Sequence, residues 1–416
     1  MEYTELKRLY DQYVMPTSAR AEVAFIRGEG CTLYDQSGKP YIDLASGIGV
    51  NSVGHAHPKW VKAVSEQAAL LAHVSNLYHT VPGALLAKRL AELSGLKNVF
   101  FANSGAEANE GAIKLARKYS YDKYGGGRNV IITLTDSFHG RTVTTLSATG
   151  QDKFHTHFFP FTEGFKHVPA NDIKALESAL DACESAAKSI GSLALKPERP
   201  RSDVCAVMIE VVQGEGGILP LDIEYIKAVR RMCDERDVLL ICDEVQTGIG
   251  RCGTWFAYQR AGILPDIVSF AKGIAGGLPL GGIIANEKCA DVLAPGTHAT
   301  TYSANLICCE AALAVLDIIG ETLPDVGTKG RLAKDAFAGA KGVKEVRGEG
   351  LMIGIATDGI DAAGVVAEAL RQGVVCLTAG QGVVRLLPPL VISREQLLEG
   401  AGIIKRIIEA GRSGTQ

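Results

Sequence analysis

Lys272 lies in Ser269-Phe270-Ala271-Lys272-Gly273-Ile274-Ala275-Gly276-Gly277, behind an apolar strand-like run and ahead of a loop of small residues. A lysine so placed points to chemistry rather than to solubility. Upstream, Val238-Leu239-Leu240-Ile241-Cys242 reads as a buried strand that delivers Asp243 and Glu244 at its C-terminal edge, the edge at which open α/β sheets bind ligands. An amine and a carboxylate at neighbouring strand ends match what pyridoxal-phosphate chemistry requires. The lysine forms a Schiff base with the cofactor aldehyde, and the aspartate keeps the pyridine nitrogen protonated so that the ring accepts carbanion electrons. Taken singly, a surface lysine and a capping aspartate would explain the two residues as well.

Phosphate binding needs backbone donors at a helix N-terminus. Phe100-Phe101-Ala102-Asn103-Ser104-Gly105-Ala106-Glu107-Ala108-Asn109 supplies a strand, a small-residue turn and a helix that continues through Arg117. Gly105 and Ala106 permit close approach there, and Ser104 brings a hydroxyl. Phe138-His139-Gly140-Arg141 follows the strand Val130-Ile131-Ile132-Thr133-Leu134. The ring of Phe138 suits a cofactor face, and Arg141 suits a bidentate clamp on a substrate carboxylate. Arg385 is flanked by Val383, Val384, Leu386 and Leu387, so it has to be paired or to face a cleft. A carboxylate receptor and a structural ion pair both satisfy that demand.

Two other patterns suggest different chemistry and carry less weight. Gly248-Ile249-Gly250-Arg251-Cys252-Gly253 matches a dinucleotide fingerprint letter by letter. Residues 243–247 separate it from the strand, and no acidic residue follows about 20 positions on at a second strand end, which disfavours a nicotinamide oxidoreductase. His55 with His57, and His155 with His157, have a spacing that could seed a metal site, but no cysteine or carboxylate is placed to complete one, so no metal is expected.

These residues need a scaffold that aligns strand ends. From about Val99 to Ala285, apolar runs alternate with helix-like segments, the α/β signature of a mostly parallel sheet covered on both faces. The 416 residues exceed the roughly 250 to 300 that one core accommodates. A large cofactor-binding domain is expected at 61–310. Segments 1–60 and 311–416 carry short strands, including Thr32 to Asp35, Val343 to Val346, Met352 to Ala356, Val374 to Leu377 and Val383 to Leu387, and are expected to form a smaller α+β domain together. Residues 181–204 read as an exposed connection without a function.

With 47% hydrophobic and 21% charged residues and a formal net charge of -3, the chain has neither a disordered composition nor the basic footprint of a nucleic-acid binder. Its ten cysteines are scattered, without a C-x-x-C pair, and read as reduced core residues. No uncharged run approaches the roughly 20 residues of a membrane span, and the charged N-terminus offers no apolar leader. A cytoplasmic location is expected.

Taken together, these segments resemble the class III (omega) aminotransferases of pyridoxal-phosphate fold type I, over essentially the whole chain. The densest matches are Asn103 to Asn109, Phe138 to Arg141, Gln213-Gly214-Glu215-Gly216-Gly217, Asp243-Glu244-Val245-Gln246-Thr247-Gly248 and Ala271-Lys272. Within the class, Gly47-Ile48-Gly49-Val50-Asn51, Ser75-Asn76-Leu77-Tyr78 and the Arg385 segment are most similar to acetylornithine aminotransferases. The resemblance implies pyridoxal 5'-phosphate as cofactor, Lys272 as the Schiff-base lysine and Asp243 as the pyridinium partner. It places Val245 and Gln246 beside the ring, Phe138 on its face, and Ser104, Gly105 and Ala106 at the phosphate. Thr301 would reach the phosphate of a neighbouring subunit, which implies a homodimer with shared sites. Arg141 and Thr300 would contact substrate, while Arg385 would bind the carboxylate of glutamate or 2-oxoglutarate and Glu215 would neutralise an arginine when the other substrate enters.

The implied reaction moves the terminal amino group of N-acetylornithine to 2-oxoglutarate in arginine biosynthesis. Ornithine, succinylornithine, 4-aminobutyrate and succinyl-diaminopimelate are the other candidate donors, and an aminomutase of the same fold is the lesser reading. Two positions depart from the pattern. Ser18 stands where an aromatic residue is usual, and Tyr302-Ser303-Ala304-Asn305 lacks the usual glycine pair, which is expected to shift the loop carrying Thr301.

Overall fold

The computed structural model describes residues 1–189 and 202–411. Near the N-terminus β1 (Phe25–Glu29), β2 (Thr32–Asp35) and β3 (Pro40–Asp43) form an antiparallel meander. The strands β4 (Asn98–Ala102), β5 (Val130–Leu134), β6 (Phe165–Val168) and β7 (Val204–Ile209) follow. After a two-residue hairpin of β8 (Val212–Gln213) and β9 (Leu219–Pro220) come β10 (Leu239–Asp243), β11 (Ile267–Phe270) and β12 (Gly281–Ala285).

A seven-stranded sheet with the order β4-β12-β11-β10-β7-β5-β6 results. β12 runs antiparallel to both of its neighbours, and the remaining pairs are parallel. Every residue of β5, β7, β10 and β11 is buried, which explains why these strands are continuous apolar runs rather than alternating ones. Parallel strands need long crossovers, and those crossovers include the helices Gly105–Tyr124 and Ile223–Glu235. The C-terminal ends of β4, β5, β7, β10 and β11 therefore share one edge of the sheet.

A second four-stranded sheet contains β13 (Val343–Glu349) and β14 (Met352–Thr357). Farther along come β15 (Val374–Val375), β16 (Leu377–Ala379) and β17 (Val383–Leu386). The order in this sheet is β13-β14-β17-β16, whereas β15 pairs parallel with β3, Val374 opposite Ile42. The helix Leu306–Asp335 packs against the helices Pro58–Leu70 and Val81–Ser94.

The connection expected at 181–204 needs correction. The helix Ile173–Ser189 covers its start, and Ser202 and Val204 are buried at its end. An apolar helical repeat ran on past the boundary assigned to it. Residues 190–201, including Lys196-Pro197-Glu198-Arg199-Pro200-Arg201, lie outside the described residues. Among the described residues nine cysteines are free and buried, and no helix is long and apolar enough to cross a membrane.

The Gly248–Gly253 turn serves packing. Gly250 adopts φ +86° and fits against Ile319 and Leu390, where a Cβ would clash, and Arg251 donates to the carbonyls of Leu351 and Pro388. His55 bonds Asp43 at 2.8 Å.

Candidate active site

The sheet edge opens into a cavity of about 440 Å³. Each strand end contributes a different group to it. At the end of β4, Ser104 caps the helix Gly105–Tyr124 by accepting the Glu107 N–H at 3.2 Å, while the Glu107 carboxylate accepts the Asn103 N–H at 2.8 Å. This reciprocal cap fixes the first turn and aims its remaining backbone donors at the cavity. A Cβ on Gly105 would stand 2.6 Å from Cγ1 of Val245, so only glycine lets the helix start approach that wall.

Asp243, at the end of β10, is buried and held on three sides. Its Oδ2 accepts from the Asn109 amide at 2.7 Å and meets His139 Nδ1 at 2.8 Å, and its Oδ1 accepts the Val245 N–H at 3.0 Å. Asn109 spends its second N–H on the His139 carbonyl at 2.7 Å. An acceptor-only carboxylate requires the proton of the imidazole on Nδ1.

Lys272 opens the short turn after β11 and takes φ +45°, a conformation that a non-glycine residue holds only where its surroundings enforce it. Burial pushes its amine below the ordinary lysine value, against the pull of Glu215, Asp243 and Glu210. A less basic amine is a better proton carrier near neutral pH.

Nine of the expected site residues line this one cavity: Lys272, Asp243 and the helix-start trio 104–106, then Phe138, Arg141, Val245 and Gln246. Four do not. Arg385 is buried behind Gln246, where its Nη1 donates to Glu215 Oε1 at 2.5 Å and approaches Gln246 Oε1 at 3.4 Å. It is therefore paired, and neither partner lines the cavity. Burial pushes the Glu215 carboxyl up, but the charge and hydrogen bond of Arg385, with Lys272 and Gln246 adding to them, together hold it below its ordinary value. Thr300 accepts from the Asn103 amide at 3.0 Å, and Thr301 is exposed. Ala304 takes φ +51°, so alanine occupies the left-handed position for which glycine is the usual choice. Ser18 is exposed.

Among the other cavity residues, Asn109, His139 and Glu210 are polar groups to which the sequence assigned no role. Glu210 directly follows β7, and its carboxylate accepts the Phe138 N–H at 2.8 Å and the Gly214 N–H at 3.1 Å. Burial pushes its carboxyl up, and Asp243 adds to this. The same strand-end argument that selected Asp243 would have found it. Asn109 was legible as the residue one helical turn past Gly105.

A buried strand-end carboxylate, a lysine of lowered basicity and a capped helix N-terminus around one cavity match what pyridoxal-phosphate chemistry needs, on a mostly parallel α/β sheet. The helix start fits a phosphate, Asp243 fits a pyridinium and Lys272 fits an aldehyde. Residues 13–408 match the family model described as Aminotransferase class-III; the chain belongs to that family, and its cofactor is pyridoxal phosphate. It is 48% identical over 410 residues to the acetylornithine aminotransferase of Haemophilus ducreyi, with 98% of this chain and 99% of that one covered. It is 43% identical to the acetylornithine aminotransferase of Methanocaldococcus jannaschii, with 94% of each covered. Among solved structures, the ornithine aminotransferase of Toxoplasma gondii superposes with a TM-score of 0.89 at 29% identity, covering 99% of this chain and 96% of that one. The acetylornithine aminotransferase of Elizabethkingia anophelis gives 0.84 at 29% identity, with 98% and 99% covered.

Proposed function

We propose that the chain transfers the terminal amino group of N-acetylornithine to 2-oxoglutarate, in arginine biosynthesis, as a cytoplasmic homodimer. The observation that carries this reading is the asymmetry of its two arginines: Arg141 lines the cavity, and Arg385 stands behind Gln246 with Glu215 as its carboxylate partner. N-acetylornithine has one carboxylate and is served by Arg141 while Glu215 neutralises Arg385. 2-Oxoglutarate has two, and its second carboxylate displaces Glu215. The acetylornithine aminotransferase relatives at 43–48% identity support the same donor.

Pyridoxal phosphate, when bound, supplies the aldehyde that carries the amino group and a ring that accepts electrons. The residues of the chain do the rest. Lys272 Nζ would take the proton from the amine-bearing carbon of the substrate and deliver it, on the same face, to the carbon that brought the aldehyde. The Asp243 carboxylate keeps a proton on the ring nitrogen, and Phe138 covers the ring. Ser104, Gly105 and Ala106 bind the phosphate, Val245 and Gln246 flank the ring, and Thr300 approaches substrate.

A second copy completes the arrangement through Thr301, which would reach the partner's phosphate. Leu77, Tyr78 and Tyr302 are exposed to the extent of 81%, 68% and 61%, an apolar surface of the kind an interface covers. The domain division 1–60, 61–310 and 311–416 is part of the same reading, supported by the pairing of β3 with β15.

The test is a single-turnover experiment on the purified holoenzyme with N-acetylornithine, ornithine, succinylornithine, succinyl-diaminopimelate and 4-aminobutyrate in parallel. Fastest loss of the visible cofactor band with N-acetylornithine is expected. Lys272→Ala should abolish turnover with every donor, and a faster reaction of another amine would replace the donor assignment.

A further inference from the structure

Arg141 is exposed at the cavity mouth, and among the described residues it is held by rings rather than by a carboxylate. Its guanidinium carbon lies 4.3 Å from the centroid of Phe154 and 5.7 Å from that of Phe138. Phe154 ends the short turn Asp152–Phe154, is half-buried, and meets Phe138 edge-on with centroids 5.9 Å apart. Lys153 Nζ is the other cation on this ring, 4.9 Å from its centroid.

The manner of holding matters. An arginine side chain has many rotamers, and a free one must be ordered each time it binds a carboxylate. A carboxylate partner would order it but would occupy the same N–H donors that the substrate needs. A ring face orders the guanidinium through its π-system and leaves the planar edge, with its fork of donors, open. The two arginines thus follow opposite plans: Arg385 is held by a competitor for its ligand, and Arg141 by a surface that does not compete.

We infer that Phe154 is a specificity-determining positioning residue, which orders Arg141 for the carboxylate of the amine donor and so sets the preference for donors that carry one. The inference rests on the assignment of Arg141 to the donor carboxylate under Proposed function.

The experiment compares wild-type, F154A and F154Y holoenzymes on N-acetylornithine and on N-acetylputrescine, the same amine without the carboxylate. Calorimetry with N-acetylnorvaline, which keeps the carboxylate and lacks the reacting amine, gives a binding readout independent of turnover. Wild type should prefer the carboxylated donor, and in F154A the ratio of the two kcat/KM values should fall about tenfold, mainly through the KM for N-acetylornithine. N-acetylnorvaline should bind F154A about tenfold more weakly, and F154Y should restore both values. If F154A depresses both amines by one factor, or leaves the ratio and the N-acetylnorvaline affinity unchanged, the inference is overturned. A wild-type enzyme that does not discriminate between the amines overturns instead the assignment of Arg141 on which it rests.

Discussion

The two ends of the site each carry a buried ionisable group, Asp243 in the cavity lining and Arg385 behind Gln246, and they are held in opposite ways. At one end, Asp243 is fixed by the Asn109 amide, the His139 ring and the Val245 N–H at 2.7, 2.8 and 3.0 Å, hydrogen-bond donors that orient the carboxyl without an arginine or lysine bonded to it. At the far end, Arg385 is fixed by Glu215, an opposite charge that cancels it. The first arrangement suits a partner that stays throughout the cycle, a protonated ring nitrogen. The second suits a partner that comes and goes, because a competing carboxylate can replace the one already there.

The most severe way to break the contrast is to remove the charge at the Asp243 end while keeping its shape. Asp243→Asn preserves volume and one acceptor but leaves a buried cationic ring nitrogen unpaired. Breaking a buried charge pair costs about 3–5 kcal/mol, which corresponds to roughly 10²–10³-fold or more in cofactor affinity and turnover. Cofactor dissociation and kcat, measured together, check this. Retention of near-normal turnover would remove Asp243 from its role.

At the other end the expected effect is smaller and changes sign with the substrate. Glu215→Gln leaves Arg385 without its counter-charge. The KM for 2-oxoglutarate should fall about fivefold, near the upper range of a partly exposed ion pair, since Glu215 is 30% exposed. The KM for the amine donor should rise, because its single carboxylate is drawn to the wrong arginine. Steady-state kinetics of the two half-reactions separate these outcomes, and equal shifts for both substrates would mean that Glu215 acts only as scaffold.

The same contrast explains what the sequence could and could not reveal. Lys272 and Asp243 are legible because each follows an apolar run whose end is visible in the sequence, and a strand end on a parallel sheet is a place on the site edge. Asn109 and His139 reach Asp243 across 134 and 104 residues, a proximity that no local spacing encodes. Arg385 was legible as a charge in an apolar strand, and the resemblance implied that Glu215 neutralises an arginine, but no local spacing tells which arginine, 170 residues away, that is. In the fold, the alternation between Val99 and Ala285 foretold the main sheet. The pairing of β3 with β15, from opposite ends of the chain, rests on a parallel contact of two residues that carries no signature of its own. Ala304 shows the limit of reading by residue type, since the backbone turns left-handed there without glycine.

Glu244 sharpens the comparison by placing a carboxylate beside Asp243 in sequence but outside the cavity lining. It is held by uncharged donors, the Thr247 hydroxyl at 2.5 Å and the Tyr258 N–H at 2.9 Å, yet it has no cavity from which a cation could reach it. Burial pushes its carboxyl up to about 7 from the ordinary 4.5. The folded state then holds a proton that the unfolded state releases, so stability falls as pH rises from about 4.5 to about 7 and is level above. The loss from this group is up to about 3 kcal/mol. In Glu244→Gln the amide oxygen can still accept the Tyr258 N–H and its NH2 can donate to the Thr247 oxygen, but no proton is at stake. Urea midpoints of variant and wild type, compared at pH 5, 6, 7 and 8, should therefore diverge in favour of the variant as pH increases. A gap that stays constant with pH would show that Glu244 is ionised in the folded protein, and that uncharged donors alone are enough to keep a buried carboxylate charged on this sheet edge.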